Sequence, residues 1–404
     1  MFERAPFHNC PACRAKATFG ILSAGGDSVR RRCTACRYAH NEILPVPDKK
    51  VIYLDQPAIS GIFKVKSGIR RAGDRNFATW ERVERAVNRV SLLQRAIFPQ
   101  SSIHRDETIV WQHGNELTIA HEMLGGETKF KDHYDIELDQ VLKFARAYID
   151  KTQPQVSFDV DDILEGHRNS WLPDLHITVD MDWSAIADDV KARADSTVPE
   201  WRSLYNFWKD KKLTFEQVLS HELNSFRTAK VGAVDSIRTK LDAAIDAGNA
   251  YEALNVSHYP VVREVNALKR MFAASGVPSD QLGNAVTTFW DWQGNKAMPV
   301  HRISAYLFAA IARKLATGQK RLPTRGMSND IVAISTYGPY VDAMFLDNEC
   351  AALLSEEPLK SEIGITAHIF SLNSAEVFLE YLASLADSTP REIREEAIEI
   401  YGIE

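Results

Sequence analysis

Two Cys-x-x-Cys pairs near the amino end constrain the fold of this chain more than any other feature of its sequence. They read "CPAC" and "CTAC" and place four cysteines in the first 36 residues: Cys10, Cys13, Cys33 and Cys36. A tetrahedral zinc site needs four thiolates aimed at one point, and two tight knuckles joined by a spacer supply them. The spacer ATFGILSAGGDSVRRR has strand-like pieces and a Gly-Gly turn, which is typical of a zinc ribbon. We therefore expect a small ribbon whose folding energy comes largely from bound Zn2+.

Two other uses of these cysteines, paired disulfides and a redox motif, are disfavoured. The amino end has no apolar core of the signal-peptide type, so a cytoplasmic location is the default expectation. No apolar run is long enough to cross a bilayer, so no membrane partner is expected. Four thiolates fill the coordination shell, which makes the predicted zinc structural. The fifth cysteine, Cys350, stands alone and is expected to be a small buried apolar residue.

Charge is unevenly distributed along the chain. Residues 1–50 contain nine Lys or Arg and four Asp or Glu, whereas the whole chain has a net charge of −6. A basic head on an acidic body suggests contact with a polyanion. The second cysteine pair is surrounded by candidates for phosphate contacts: Arg30, Arg31, Arg32 and Arg37. A solvated basic turn is an equally weighted alternative.

The rest of the pattern predicts an α/β fold. The 404 residues are too many for one ordinary core. Strand patterns at VIYL, AMFL and GITAHIFSL alternate with helical patterns, including 80–98 and IELDQVLKFARAYIDK, which is typical of a parallel sheet with helices on both faces. Residues 151–325 are expected to be mostly helical, apart from a strand-like LHITVDM. The predicted division is a zinc ribbon (1–48), a first α/β part (49–152), a helical insertion (153–300) and a second α/β part (301–404).

Acidic residues follow the predicted strands and begin the predicted helices. Asp55 directly follows VIYL, and Asp347 follows AMFL. Asp330 begins a helix, and Glu107 is placed in the first turn of the helix that starts near Ser102. Functional groups collect at the carboxyl ends of parallel strands, and clustered carboxylates need cations, so we expect a Mg2+ or Mn2+ site. Two such metals can activate water and steady the leaving oxygen of a phosphodiester.

Each acidic residue also has a purely structural interpretation. Asp330 could cap its helix, Glu107 could favour the helix dipole, and Asp347 could be a turn residue. Asp55 has the fewest such alternatives because a charge directly after a buried strand is costly if unpaired. Three further acids are weaker candidates: Asp106, Asp342 and Glu349.

Three segments together resemble the PIN-like metal-dependent nucleases, in particular a branch with a long helical insertion. They are KKVIYLDQPAISGI, FPQSSIHRDETIV and SNDIVAISTYGPYVDAMFLDNECAALL, and the resemblance covers roughly 50–150 and 300–385. It implies a Rossmann-like parallel sheet and a Mg2+- or Mn2+-dependent nuclease, most often acting on RNA. The order of acids in the family corresponds to four positions: Asp55, Glu107, Asp330 and Asp347. The chain departs from the family pattern at Gln56 and Pro57, in its "LDNE" motif and in residues 153–300.

Other residues leave the functional interpretation open. Basic residues precede Asp330, namely Lys314, Lys320, Arg321 and Arg325; they could hold a nucleic-acid backbone or favour a helix end. His104 is expected to be a hydrogen-bonding neighbour, and the pair Asp180 and Asp182 to be surface residues. The alternative function is a non-catalytic nucleic-acid or protein binding module. The two functions differ in whether the four acids lie within reach of shared metal ions.

Overall fold

The chain folds as a mixed α/β protein in a computed structural model that describes residues 4–109, 111, 114–173, 199, 201–319 and 325–403. The strands in chain order are β1 (Arg4–His8), β2 (Phe19–Gly25), β3 (Ser28–Cys33), β4 (Ala39–Ile43), β5 (Lys50–Leu54), β6 (Ala96–Ile97), β7 (Lys129–Phe130), β8 (Leu164–Glu165), β9 (Ala343–Leu346) and β10 (His368–Ser371). The helices are α1 (Gln56–Lys66), α2 (Phe77–Leu92), α3 (Ser102–Ile109), α4 (Gly114–Gly125), α5 (His133–Asp150), α6 (201–211), α7 (Phe215–Asn224), α8 (Phe226–Asp246), α9 (Ala250–Asn255), α10 (Pro260–Ala274), α11 (Leu282–Trp290), α12 (Pro299–Ala316), α13 (Arg325–Tyr337), α14 (Asn348–Ser355), α15 (Leu359–Glu362), α16 (Ala375–Asp387) and α17 (Arg391–Tyr401).

A four-stranded parallel sheet forms the centre of the α/β part. Its strand order is β10–β9–β5–β6, and each neighbouring pair is parallel. Val51 and Tyr53 face one hydrophobic core, and Ile52 and Leu54 face a second core on the opposite side. Because successive side chains of a strand point to opposite faces, an unbroken apolar run is what a sheet buried on both sides requires. The predicted parallel α/β sheet is therefore confirmed.

The strand order reverses between β5 and β9. The chain leaves β5 through α1 and α2 to reach β6 on one side, whereas the later strands β9 and β10 lie on the other side. Such a reversal opens a crevice beyond the carboxyl ends of the two central strands. The amide of Asp55 donates to the carbonyl of Phe345 at 2.9 Å, which joins the two strands at that edge. Both Asp55 and Asp347 follow strands that end there.

The helix predicted for residues 80–98 is wrong at its carboxyl end. Helix α2 ends at Leu92, and Ile97 belongs to β6, which adds a fourth strand to the predicted sheet. Gln94 adopts a left-handed backbone conformation with φ of 57°, and its side-chain amide donates to the carbonyls of Ser91 and Leu92. The last turn is thus closed by a polar side chain that the apolar periodicity does not reveal.

The helical region contributes to two different cores. Tyr205, Trp208 and Phe215 pack in the same core as the Tyr53 face of the sheet. Helices α5, α8, α10 and α11 build a separate core around Phe272 and other apolar residues. Residues LHITVDM, with Asp180 and Asp182, lie outside the described residues, and the division at 153 and 300 stays a prediction. In the described part of the chain, no helix has both the length and the apolarity needed to span a membrane.

The amino-terminal module is an antiparallel sheet in the order β1–β2–β3–β4. The predicted glycine turn is present, since Gly25 and Gly26 join β2 to β3 and both have positive φ. Gly26 also pairs with Trp171 in an isolated bridge, and Ile21 and Val29 pack into the core that α1, α2, α16 and α17 cover. The module therefore rests on the α/β body as well as on its own cysteines.

Candidate functional site

The four amino-terminal cysteines converge on one point. The Sγ atoms of Cys10 and Cys36 are 3.7 Å apart, and those of Cys13 and Cys33 are 3.9 Å apart. All four sulfur atoms lie within 4.8 Å of one another. These separations are too long for disulfides, whose sulfur atoms lie about 2.05 Å apart. A cluster of four thiols at this spacing could hold a metal ion such as Zn2+ with no open coordination position.

Both cysteine pairs have the backbone of a metal-binding knuckle. The amides of Cys13 and Cys36 point at the first sulfur of their own pair, at 3.5 and 3.4 Å. The residue after each pair, Arg14 and Arg37, is left-handed with φ of 62° and 65°. The amide of Cys36, together with the hydroxyl of Thr18, lowers the pKa of Cys33 to about 6, whereas the neighbouring Cys13 thiol raises the pKa of Cys36. The metal-free cluster therefore favours one thiolate, and a cation would be needed to hold several together.

The predicted basic patch divides into exposed and buried members. Arg30 and Arg37 are exposed and Arg32 is half-buried, whereas Arg31 is only 5% exposed. Arg31 is ion-paired with Glu42 at 3.0 Å and with Glu399 of α17. Arg31 is therefore not available for the phosphate contact predicted for it. The alternation of side chains along β3 could have indicated that Arg31 is buried, because position 31 lies on the same face as buried Val29 and Cys33.

Arg31→Gln and Arg30→Gln are expected to differ in their effect on stability. Removing the buried Arg31 guanidinium should lower the free energy of unfolding by about 3 kcal/mol, because Glu399 and Glu42 lose their shared cation. Arg30→Gln, which changes an exposed residue of the same strand, should leave the free energy of unfolding within about 0.5 kcal/mol. Urea denaturation measures both effects. Equal stability of the two variants would contradict the structural assignment of Arg31.

The predicted acids of the α/β part line a single cleft. This cleft has a volume of 420 Å³ and lies beyond the carboxyl ends of β5 and β9. Its acidic lining is Asp55, Glu107, Asp330 and Asp347. Gln56, Trp111 and Gly326 also line it, and none of these was a candidate from the sequence. Four carboxylates from segments far apart in the chain thus share one concave site.

Asp55 lies at the inner end of this cleft and is 5% exposed. Its Oδ1 atom accepts a hydrogen bond from the amide of Gln56 at 2.7 Å and caps α1, whereas the buried Oδ2 atom has no partner among the described residues. Burial, and next the charge of Glu107, raise the pKa of Asp55 to about 7. An unsatisfied buried carboxylate oxygen is costly, and a cation in the cleft would remove that cost.

Glu107 is distinguished from its neighbour Asp106 by its position in α3. Helix α3 begins at Ser102, so Glu107 lies in its second turn and not in the first as predicted. Glu107 is half-buried and accepts a hydrogen bond from Asn329 Nδ2 at 2.6 Å. Asp106 is exposed, and its Oδ1 atom lies 3.5 Å from Nε of Arg105. The helix therefore presents Glu107 and not Asp106 to the cleft.

Asp330 and Asp347 approach each other in the cleft, although Asp330 does not begin a helix as predicted, because α13 already runs from Arg325. One oxygen of each lies within 4.8 Å of the other and of Cys350 Sγ. Burial, and next the charges of Asp55, Asp347 and Glu107, raise the pKa of Asp330 to about 9. Asp347 caps α14 by accepting from the amide of Cys350 at 2.6 Å. The Asp347 side chain therefore both caps α14 and lines the cleft.

Cys350 has a role that its isolation in the sequence conceals. It is buried as predicted, with 1% exposure, and its thiol donates to Asp330 Oδ2 at 3.8 Å. Burial, and next the charge of Asp330, raise its pKa, which keeps the group a neutral thiol. Cys350 therefore supplies a hydrogen-bond donor beside the cleft.

Two weaker acidic candidates lie elsewhere. Asp342 precedes β9 and accepts hydrogen bonds from Lys50 Nζ at 2.8 Å and from the amide of Val51 at 2.9 Å. It therefore lies at the amino-terminal ends of β5 and β9, away from the cleft. Glu349 accepts from Gln319 Nε2 at 3.0 Å and does not line the cleft. Asp342 is thus ion-paired with Lys50, and Glu349 is hydrogen-bonded to Gln319, so both have structural partners away from the cleft.

The remaining predicted neighbours have structural roles where they are described. His104 is buried, and its Nδ1 atom forms a hydrogen bond with Ser101 Oγ at 3.1 Å. Its ring stacks on Tyr53, and burial lowers the pKa of the imidazole to about 4. Lys314 is ion-paired with Glu356 at 3.2 Å. Lys320 and Arg321 lie outside the described residues.

Comparison with known proteins adds no assignment to this geometry. The chain matches no family model, no curated protein and no solved structure.

Proposed function

We propose that this protein is a divalent-metal-dependent nuclease of the PIN-like type, with RNA favoured over DNA as its substrate. The observation that carries the proposal is the convergence of Asp55, Glu107, Asp330 and Asp347 on one cleft. Carboxylates that repel one another and share a concave site are typical of Mg2+ or Mn2+ binding. The resemblance of the three sequence segments to PIN-like nucleases supports the same chemistry.

The residues of the cleft fit such a metal by their chemistry. All four acids offer hard oxygen donors, and Asp55 Oδ2 is a buried oxygen without a partner among the described residues. When bound there, Mg2+ or Mn2+ would supply Lewis-acid stabilisation of a phosphodiester and a lowered pKa for water. Asp55 and Asp347 are fixed by capping hydrogen bonds, so they would hold their positions without a further loss of side-chain freedom.

The chain also offers residues that would orient the acids and bind the strand. Asn329 fixes one oxygen of Glu107, and the Cys350 thiol donates to Asp330. Trp111 on the cleft wall has Lys64 Nζ 5.4 Å from its ring centroid, so an aromatic surface and a cation lie together beside the acids, where a nucleotide could contact both. The exposed Arg30 and Arg37 on the cysteine module would add phosphate contacts.

Cleavage of labelled single- and double-stranded RNA and DNA by zinc-loaded full-length protein tests the proposal. We expect cleavage with Mg2+ or Mn2+ and none with EDTA-treated divalent-free buffer. Glu107→Gln and Asp106→Asn make a matched pair on one helix turn, and only Glu107→Gln should abolish activity. Failure to cleave any substrate, together with no Mn2+ uptake by calorimetry, would favour a binding module instead.

The metal-free protein should become less stable as pH rises from 6 to 9. Asp55 and Asp330 have raised pKa values of about 7 and 9, so the folded state holds protons that the unfolded chain releases near pH 4. The unfolded state then binds fewer protons, and the free energy of unfolding falls with pH, on the order of 5 kcal/mol across this window.

Mn2+ should reverse this loss, because it binds the ionised acids of the folded state. Differential scanning fluorimetry at pH 6 and 8.5 should show a larger rise in Tm with Mn2+ at pH 8.5. Asp330→Asn is the control and should flatten the pH dependence. A Tm shift that is equal at both pH values would contradict the coupling.

A further inference from the structure

A second cavity adjoins the acidic cleft across helix α13. Its volume is 490 Å³, larger than the cleft, and residues of α5, α6, α8, α12 and α13 line it. Cavities of this size accommodate a small organic ligand or one nucleoside. No residue of its wall belongs to the four acids, so its chemistry is distinct from that of the cleft.

Aromatic side chains form two sides of this cavity. Trp201 and Phe308 are stacked on each other with centroids 5.4 Å apart, and both are half-buried. Phe226 lies on α8, contacts the ring of His301 edge-on at 5.1 Å and has Lys230 Nζ 5.3 Å from its ring centroid. Trp201 also stacks on Tyr205 at 5.9 Å, so the remaining surface of these rings forms apolar walls that a planar ligand can contact.

Polar groups in the wall are suited to the edge of such a ring. The hydroxyls of Ser225 and Ser304 donate to the backbone carbonyls of Glu222 and His301, at 2.7 and 3.0 Å. Their oxygen atoms still have acceptor capacity for an amino group or a ring N–H. Asn329 and Thr336 add further polar groups from α13. The cavity therefore combines aromatic faces with hydrogen-bonding groups.

The charges around the cavity do not favour a phosphate. Lys230 is the lysine that lines it, and its ammonium is already shared between Glu137 at 2.8 Å and Glu264 at 2.6 Å. Burial lowers the pKa of His133 and His301, which keeps both imidazoles neutral. A neutral heterocycle with hydrogen-bonding edges matches this environment better than an anion does.

The cavity and the cleft share one wall. Asn329 lines the cavity and the next residue, Asp330, lines the cleft, while the Asn329 amide donates to Glu107. The two sites are thus separated by the width of one helix, about 10 Å. A nucleic-acid strand in the cleft could place a splayed-out base in the cavity within a few nucleotides.

We propose that this cavity binds a nucleobase. The inference rests on the proposed nuclease function for its setting, and the base would come from the bound strand or from a free nucleotide. Ala229 of α8 lines the cavity and is exposed, and Ala233, one turn further along α8, lines a neighbouring cavity of 290 Å³. Ala229→Phe would fill the proposed site, and Ala233→Phe is its matched control.

The test uses the zinc-loaded full chain carrying Asp55→Asn, which leaves bound strands uncut. Single-stranded oligonucleotides with 2-aminopurine at successive positions report base stacking through fluorescence quenching. We expect quenching at one position and a roughly ten- to hundredfold weaker affinity with Ala229→Phe, as for the loss of one stacked base. Ala233→Phe should bind as the parent does.

Free adenosine, guanosine, cytidine and uridine form the second arm, measured by calorimetry. Binding of a nucleoside that Ala229→Phe abolishes supports the cavity with a free nucleotide as its source. Identical binding by the parent and Ala229→Phe in both arms overturns the inference. If the protein without the Asp55→Asn change takes up Mn2+ and cleaves, that result would leave the nuclease proposal intact, whereas absent cleavage and Mn2+ uptake would affect only that proposal.

Discussion

Asp55→Asn is expected to abolish metal-dependent cleavage and at the same time to stabilise the metal-free protein. The rate should fall by a factor on the order of 1,000, because the most buried ligand oxygen of the cleft is lost. Asparagine is an equally good helix cap, so its side chain can still accept from the Gln56 amide and preserve α1. Removing a buried carboxylate whose pKa is raised to about 7 should add on the order of 2 kcal/mol to the free energy of unfolding at pH 8.

Cleavage assays and urea denaturation at pH 8 without divalent metal measure these two effects. Asp106→Asn, an exposed acid beside the cleft, is the control and should change neither quantity. A variant that loses stability along with activity would show that Asp55 is a structural residue. Retained cleavage would remove Asp55 from the site altogether.

Cys33→Ser is expected to remove the metal from the amino-terminal module. Structural zinc contributes about 10 kcal/mol or more of apparent binding energy in small zinc domains, and three thiolates hold it much less tightly. We expect one zinc ion per chain in the parent protein and nearly none in Cys33→Ser, and amide exchange in β2 and β3 should accelerate at least about 100-fold. Ile21 and Val29 pack on the body, so the melting temperature of the whole chain should also fall.

Elemental analysis and hydrogen exchange by mass spectrometry test this prediction. Cys350→Ser is the control: it alters the remaining cysteine, which lies beside the acidic cleft, and should retain the full zinc content. Unchanged zinc in Cys33→Ser would show that the four sulfur atoms do not act as one site.

The sequence predicts the strands of the central sheet that are long enough to show an unbroken apolar run. Val51 to Leu54 are apolar without interruption because both faces of β5 are covered, and Asp55 marks the strand end for the same reason. Strand β6 has only two residues, and so short a strand shows no period that could be recognised. Ile97 is buried in β6, and it would also be buried on the inner face of a longer α2, so its apolar character does not distinguish the two.

The sequence predicts which acidic residues line the cleft, but it does not predict the hydrogen bonds that position them. Strand ends identify Asp55 and Asp347, because topology alone brings such positions to one end of a parallel sheet. Asp330 was predicted to begin a helix, whereas α13 already runs from Arg325, so its place in the cleft comes from the packing of α13 and not from a helix start. The hydrogen bond from Asn329 to Glu107 depends on how α3 packs against α13, which no local pattern encodes. Cys350 and the buried Arg31 likewise acquire their partners from distant segments.

The two central strands of the sheet, β5 and β9, are neighbours in space but are separated in the chain by a long segment that contains most of the helices. Ile52 is in register with Ala343, so a ribosome must extend the chain past Ala343 before this pairing can form. A nascent or prematurely terminated product that ends before Ala343 always lacks Asp347 and, if it is shorter still, Asp330 as well. The acidic cleft therefore cannot form during synthesis until both later acids have been added.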